Sequence, residues 1–186
     1  MFAIVQNGQI IMFITAGNAW EYQGIQYPPQ WIAQATPEQL AEMGIVDVVY
    51  GPQANQQYYW VSQDEPVYNP QTNQVDINFT ATPKDLTSVK GNALSQVDQT
   101  AYSQLFPTDW MVIKSVETST PMNPDWNSWR AAVRATADQT KTAITAAKDV
   151  NAVADIMGSI VWPKSPATVA AEAAQVANDA ISEEAK

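Results

Sequence analysis

The sequence contains no cysteine and no histidine. Without thiols there is no disulfide, no thiolate nucleophile and no zinc-finger spacing, and without imidazole the commonest general acid and base of enzymes is missing. Basic residues are also absent from the first 83 positions: the first is Lys84, whereas Glu21, Glu38, Glu42, Asp47, Asp64, Glu65 and Asp76 precede it. Nucleic-acid affinity comes mainly from Lys and Arg displacing counterions from phosphates, so this stretch repels DNA and RNA, and the net charge of −10 extends that expectation to the whole chain. Such a surface serves solubility, or it steers a basic patch on a protein partner. No apolar run approaches the ~20 residues of a membrane span, and the opening MFAIVQNGQ has no basic segment ahead of its apolar stretch. Adjacent carboxylates such as Asp64-Glu65 cannot stand on opposite sides of a glycosidic bond, about 5 to 10 Å apart. The expectation is a soluble, non-enzymatic chain without signal peptide, catalytic residues, metal or cofactor.

What is present is a change of periodicity at residue 82. Up to that point the pattern is that of short strands. Asn7-Gly8 lies between the apolar runs from Phe2 to Val5 and from Gln9 to Thr15, and is the dipeptide best suited to a two-residue hairpin turn with positive φ at both positions. Gln23-Gly24 separates Trp20-Glu21-Tyr22 from Ile25-Gln26-Tyr27 in the same way. Further strands are predicted from Ile45 to Tyr50, from Gln57 to Ser62 and from Val75 to Thr82, with a turn at 69–73. One short helix interrupts them, opened by the capping box Thr36-Pro37-Glu38-Gln39 and stopped by Gly44. In a strand, Tyr58 and Trp60 share one face and Tyr59 takes the other. These rings form core, or a platform on which sugars stack, and the platform requires at least two of them exposed and coplanar.

Beyond Thr82-Pro83 the spacing becomes helical. A helix is predicted from there through Leu105 with Leu86, Val89, Ala93, Val97, Ala101 and Leu105 along one stripe. Thr108-Asp109 starts a short segment through Glu117, a proline-broken loop runs from Thr118 to Pro124, and a helix from Asp125 to Ala137 carries Trp126, Trp129, Val133 and Ala137, after which Ile144 continues the apolar theme. Asp149 caps another short helix to Met157, and Ile160 to Pro163 reads as extended. An alanine-rich helix follows over 168–185, which is marginal in isolation and therefore expected to dock on something. The fold class is thus α+β: a β-rich N-terminal domain of short antiparallel strands over 1–82, a helical domain over 83–163, and an alanine-rich C-terminal helix over 164–186.

Four pieces of the helical part occur in a suggestive order: Thr108-Asp109-Trp110, the proline loop Pro121 to Pro124, Trp129-Arg130 with Arg134 four residues on, and Trp162-Pro163. This segment, 108–163, about a third of the chain, resembles the phage tail assembly chaperone family. Upstream, Tyr27-Pro28-Pro29-Gln30-Trp31, Thr36-Pro37-Glu38, Gly44-Ile45, Tyr58 to Ser62 and Ala81 to Leu86 resemble proteins encoded beside phage tail and tail-fibre genes. The resemblance implies a non-enzymatic bacteriophage tail-module protein that binds another tail or fibre protein, in several copies, in the virion tail and in the host cytoplasm during assembly. The long interval between Arg134 and Trp162 and the alanine-rich end lie outside the family's pattern and favour a virion-resident adaptor. The alternatives are a transient tail or fibre assembly chaperone and a glycan-binding module of a tail fibre.

Trp110, Trp129 and Trp162 are expected to cluster as the structural core of this segment. Trp126, Arg130 and Arg134 lie four residues apart on one side of their helix, and Trp and Arg are enriched at interface hot spots, so that side is assigned to the partner. The alternative is that Arg130 pairs with a carboxylate such as Asp109. Val169, Ala173, Val176 and Ala180 form a small-residue stripe expected at a contact with the partner; the alternative is that residues 168–185 fold back on the chain's own helices.

Overall fold

The computed structural model describes residues 1–184, apart from the side chains of Asn178 and of 180–184. The chain is α+β and divides into two compact units, Met1–Thr82 and the helical remainder from Pro83. In chain order the first unit holds β1 (Phe2–Gln6), β2 (Gln9–Ile14), β3 (Trp20–Tyr22), β4 (Ile25–Tyr27), α1 (Trp31–Gln34), α2 (Pro37–Glu42), β5 (Ile45–Tyr50), β6 (Tyr59–Gln63), β7 (Val67–Asn69), β8 (Gln74–Ile77) and β9, which ends on the boundary (Phe79–Pro83). Five strands make one sheet in the order β2-β1-β5-β8-β7, antiparallel except for the parallel pair β5–β8, and β3–β4 and β6–β9 make two-stranded sheets.

Both hairpin turns have the backbone their residues favour: φ is 53° at Asn7 and 77° at Gly8, and 51° at Gln23 and 79° at Gly24. Between the first two strands Ile4 pairs with Met12 and Val5 with Ile10, so Ile11 is an extra, unpaired residue. This bulge reverses the faces of β2. Ile10 therefore joins Ala3, Val46, Val48, Val75 and Ile77 on one side of the sheet, while Met12 and Ile14 join Ile4, Trp20 and Ile45 on the other. The second side is covered by β3–β4, α1 and α2, where Trp20 stacks on Tyr27 at 4.1 Å and both rings meet Trp31 edge-on.

The α2 capping box forms as expected, with Gln39 N–H donating to the Thr36 hydroxyl at 3.3 Å and Thr36 N–H donating to the Gln39 side chain at 2.8 Å. Gly44 then turns the chain at φ 66° and passes so close to β1 that a Cβ would sit 2.3 Å from the Val5 carbonyl oxygen. The run from Val75 to Thr82 is not one strand. It breaks at Asn78, whose carbonyl accepts from Asp64 N–H at 2.9 Å, so β8 and β9 belong to different sheets. Two elements carry no local signal: α1, whose N-cap Gln30 makes no side-chain bond, and the three-residue β7.

The second unit comprises α3 (Leu86–Leu105), a 3-10 turn (Phe106–Thr108), α4 (Asp109–Glu117), α5 (Pro124–Ala146), α6 (Val150–Ser159) and α7 (Pro166–Glu184). The expected start of α3 at Thr82-Pro83 is corrected: those residues end β9, and Asp85 is the cap, accepting from Ser88 N–H at 2.8 Å and from its hydroxyl at 2.9 Å. Val89, Ala93, Val97 and Ala101 form the buried stripe of α3, facing α5, which buries Val133, Ala137 and Ile144, and α6, which buries Val150 and Val153. The alanines let the helix axes approach closely. Asn123 and Asp149 cap α5 and α6 by accepting from Asp125 N–H and Ala152 N–H. Among the described residues no helix is long and apolar enough to cross a membrane.

Candidate partner-binding site

The four motif pieces meet at the N-terminal half of α5. Arg130 lies one turn beyond Trp126, is 3 % exposed, and reaches the point where α3 ends. Its guanidinium donates to the Leu105 carbonyl at 2.8 Å, to the Thr108 hydroxyl, and to the Asp109 carboxylate at 2.6 Å. A helix C-terminus leaves carbonyls without intrahelical donors. One guanidinium therefore satisfies such a carbonyl and holds the first residue of α4, using a donor fork that lysine lacks. Thr108 hands its own hydroxyl proton to Leu105 at 2.8 Å and makes no side-chain cap on α4. The assignment of Arg130 to the partner face is thus corrected: a guanidinium enclosed by its own chain cannot meet another. Arg134, one turn on, is exposed.

Trp129 is buried, and its indole N–H donates to the Pro163 carbonyl at 3.0 Å, fastening the closing Trp162-Pro163 pair to α5. The expected cluster of Trp110, Trp129 and Trp162 is also corrected. Trp110 is 55 % exposed, with the Lys114 ammonium 6.0 Å from its ring centre, and Trp162 is half-buried. The ring that meets Trp129 is Trp126, edge-on at 5.6 Å. Within the Thr-Asp-Trp element, Asp109 makes the inward tie, which leaves the next residue turned toward solvent.

Trp110 and Trp126 instead face one groove of about 310 Å³ between α4, the 118–123 loop and the start of α5. Met111, Met122 and Pro121 complete its apolar lining, and Lys114 is the single charged side chain in it. Ser119 reverses the loop at φ 51°. Trp126 also borders a second hollow, with Trp129, Pro107 and Pro163, so this half-buried ring forms a wall between two concavities. Aromatic and methionine side chains around a single cation suit an apolar anchor from a partner protein. The sequence pattern identifies Trp126 but misses Met111, Lys114 and Met122, whose place depends on how the proline loop folds back.

On α7, Val169 is 53 % and Val176 69 % exposed, Ala173 is exposed, and the side chain of Ala180 lies outside the described residues. Val169 and Ala173 flank Trp129 and Ser128 along a shallow hollow at the start of α5, and Lys164 bonds both oxygens of Glu172. In the first unit Tyr58 is buried and precedes β6, Tyr59 is half-buried, and Trp60 is 67 % exposed. Two exposed coplanar rings are therefore not offered by this trio. Among the described residues no three His, Cys, Asp or Glu side chains are grouped to hold a metal ion.

Comparison of the chain with protein-family models, curated proteins and solved structures finds no match.

Proposed function

We propose that this chain is a non-enzymatic component of a bacteriophage tail that binds another tail or fibre protein and remains in the virion. The observation that supports it is the convergence of the motif pieces: Asp109 is tied to Arg130, Pro163 to Trp129, and the proline loop closes a groove between Trp110 and Trp126. Residues from 110 to 126 thus line one groove, with the ties to Arg130 and Trp129 beside it. The partner anchors an apolar side chain against Trp110 and Trp126, with Lys114 at the rim to receive a carboxylate. Arg130 and Trp129 act behind that surface by holding its walls in place.

Pull-down of the tail and fibre proteins encoded beside the chain tests this directly. The expected result is capture of one of them, lost or weakened at least tenfold by Trp126→Ala or Trp110→Ala in protein that still melts cooperatively. Capture by neither the wild type nor the variants overturns the proposal. Recovery of the chain from infected cells but not from purified particles assigns it instead to assembly, as a chaperone.

A further inference from the structure

A second surface lies on the side of α4 away from the groove. Tyr102, Phe106, Asp109, Ile113 and Val116 are spaced four, three, four and three residues apart along the path from α3 through the 3-10 turn into α4. This is the alternation of an apolar helical stripe, carried here across the end of α3 and the 3-10 turn. It differs from the stripe that α3 buries, Val89 to Ala101, which advances in steps of four. The four apolar members stand open: Tyr102 is 61 %, Phe106 59 %, Ile113 57 % and Val116 75 % exposed. The Tyr102 and Phe106 rings lie 5.4 Å apart, and α4 buries no side chain of its own. A nine-residue helix with five apolar residues and none buried has an unfilled contact.

The one charge in the seam is Asp109, and Arg130 already neutralises it from behind. The cation that would otherwise compete, Lys114, is turned to the groove. The seam is therefore apolar and free of net charge, which suits a copy of itself and offers nothing to a strongly charged partner. Taking ~200 Å² for an aromatic and ~120 Å² for an aliphatic side chain, the four leave on the order of 400 Å² of apolar surface in water. A standard interface takes ~800 Å² from each partner, a little over half of it apolar. We infer that Tyr102, Phe106, Ile113 and Val116 close about a two-fold axis on the same residues of a second copy of this chain, so that the working unit is a dimer with two outward grooves.

Analytical ultracentrifugation of the full chain over about 1–100 µM tests this. The expected mass is twice the 20.4 kDa of one chain, falling to that of one chain in Ile113→Glu and in Val116→Glu, which still melt cooperatively because neither side chain is buried within its own chain. Val176→Glu on α7 leaves the dimer intact. Because the chain has no cysteine, Phe106→Cys, Ile113→Cys and Val116→Cys each present a single thiol to a short bis-maleimide. At least one of them is expected to give a covalent dimer, which decides the matter should a glutamate variant fail to fold. A wild type that stays monomeric, a dimer that survives both glutamate substitutions, or three cysteine variants that do not cross-link overturns the inference. A monomer that still captures a tail protein overturns the dimer alone and leaves the proposed function standing.

Discussion

Arg130 and Asp109 lie 21 residues apart in the chain and meet at 2.6 Å, and the pair is lopsided: the guanidinium side chain is 4 % exposed and the carboxylate side chain 46 %. The consequences of removing either partner are correspondingly unequal. Arg130→Met takes the donors from the Leu105 carbonyl, the Thr108 hydroxyl and Asp109 together, and is expected to cost about 2–4 kcal/mol in the unfolding of the helical unit. Asp109→Asn keeps an acceptor and the bonds to Leu105 and Thr108, but leaves the buried guanidinium without its counter-charge, and is expected to cost about 1–2 kcal/mol. Urea titrations followed by far-UV circular dichroism separate the two. Equal losses would mean that the ion pair, rather than the three-way clasp, holds α4.

Two glycines carry opposite expectations. Gly44 combines a left-handed backbone with the Val5 carbonyl 2.3 Å from where a Cβ would lie, so Gly44→Ala should destabilise the first unit by more than about 2 kcal/mol. Gly91 sits in mid α3 with nothing near its missing Cβ, and Gly91→Ala should stabilise the second unit by about 0.5–1 kcal/mol. Differential scanning calorimetry of both variants shows the signs. A stabilised Gly44→Ala protein would contradict the described α2–β5 turn.

The tryptophans rank by burial and not by motif. Trp129→Ala, which also strips the bond to Pro163, is expected to cost about 3–5 kcal/mol, and Trp110→Ala less than about 1 kcal/mol. Acrylamide should likewise quench the fluorescence of a Trp110-only protein freely and that of a Trp129-only protein poorly. Equal quenching would argue for the closed three-tryptophan cluster that the sequence pattern suggests and the structure lacks.

What was legible in the sequence is what local chemistry decides. Asn7-Gly8 and Gln23-Gly24 announce their turns because those residues accept positive φ, and Thr36 and Asp149 announce helix starts through their caps. The α+β division follows from the shift of apolar spacing near Thr82. The parallel pairing of β5 with β8 and the bulge at Ile11 depend on contacts between distant strands, which no local pattern encodes. The same limit governs the site. Spacing places Trp126, Arg130 and Arg134 along one side of α5, but whether a position faces water depends on where α3 ends, and Leu105 happens to end beside Arg130. The groove was illegible for a related reason, since Met111 and Met122 come together only when the loop around Ser119 reverses the chain.

The α3 cap supplies a pH test. Hydrogen bonds from the Ser88 backbone N–H and hydroxyl hold the Asp85 carboxyl below its ordinary value. A depressed carboxyl stabilises the fold above its ordinary value, and that contribution is lost as pH falls through the lower, folded value. Wild type should therefore exceed Asp85→Ala in melting temperature near neutrality, and the gap should close from about pH 5 down to about pH 2. Asp85→Asn, which caps without a charge, should vary less over that range. A gap that widens on acidification would show that the carboxylate is not the stabilising species.

The account turns on the proposal that this chain is a tail component that binds its neighbours and stays in the particle. Quantitative mass spectrometry of purified virions measures that most directly. The account predicts several copies of the chain per particle, resistant to a high-salt wash and co-released with one tail or fibre protein when particles are mildly disassembled. Intact, infectious particles containing none of the chain would contradict it.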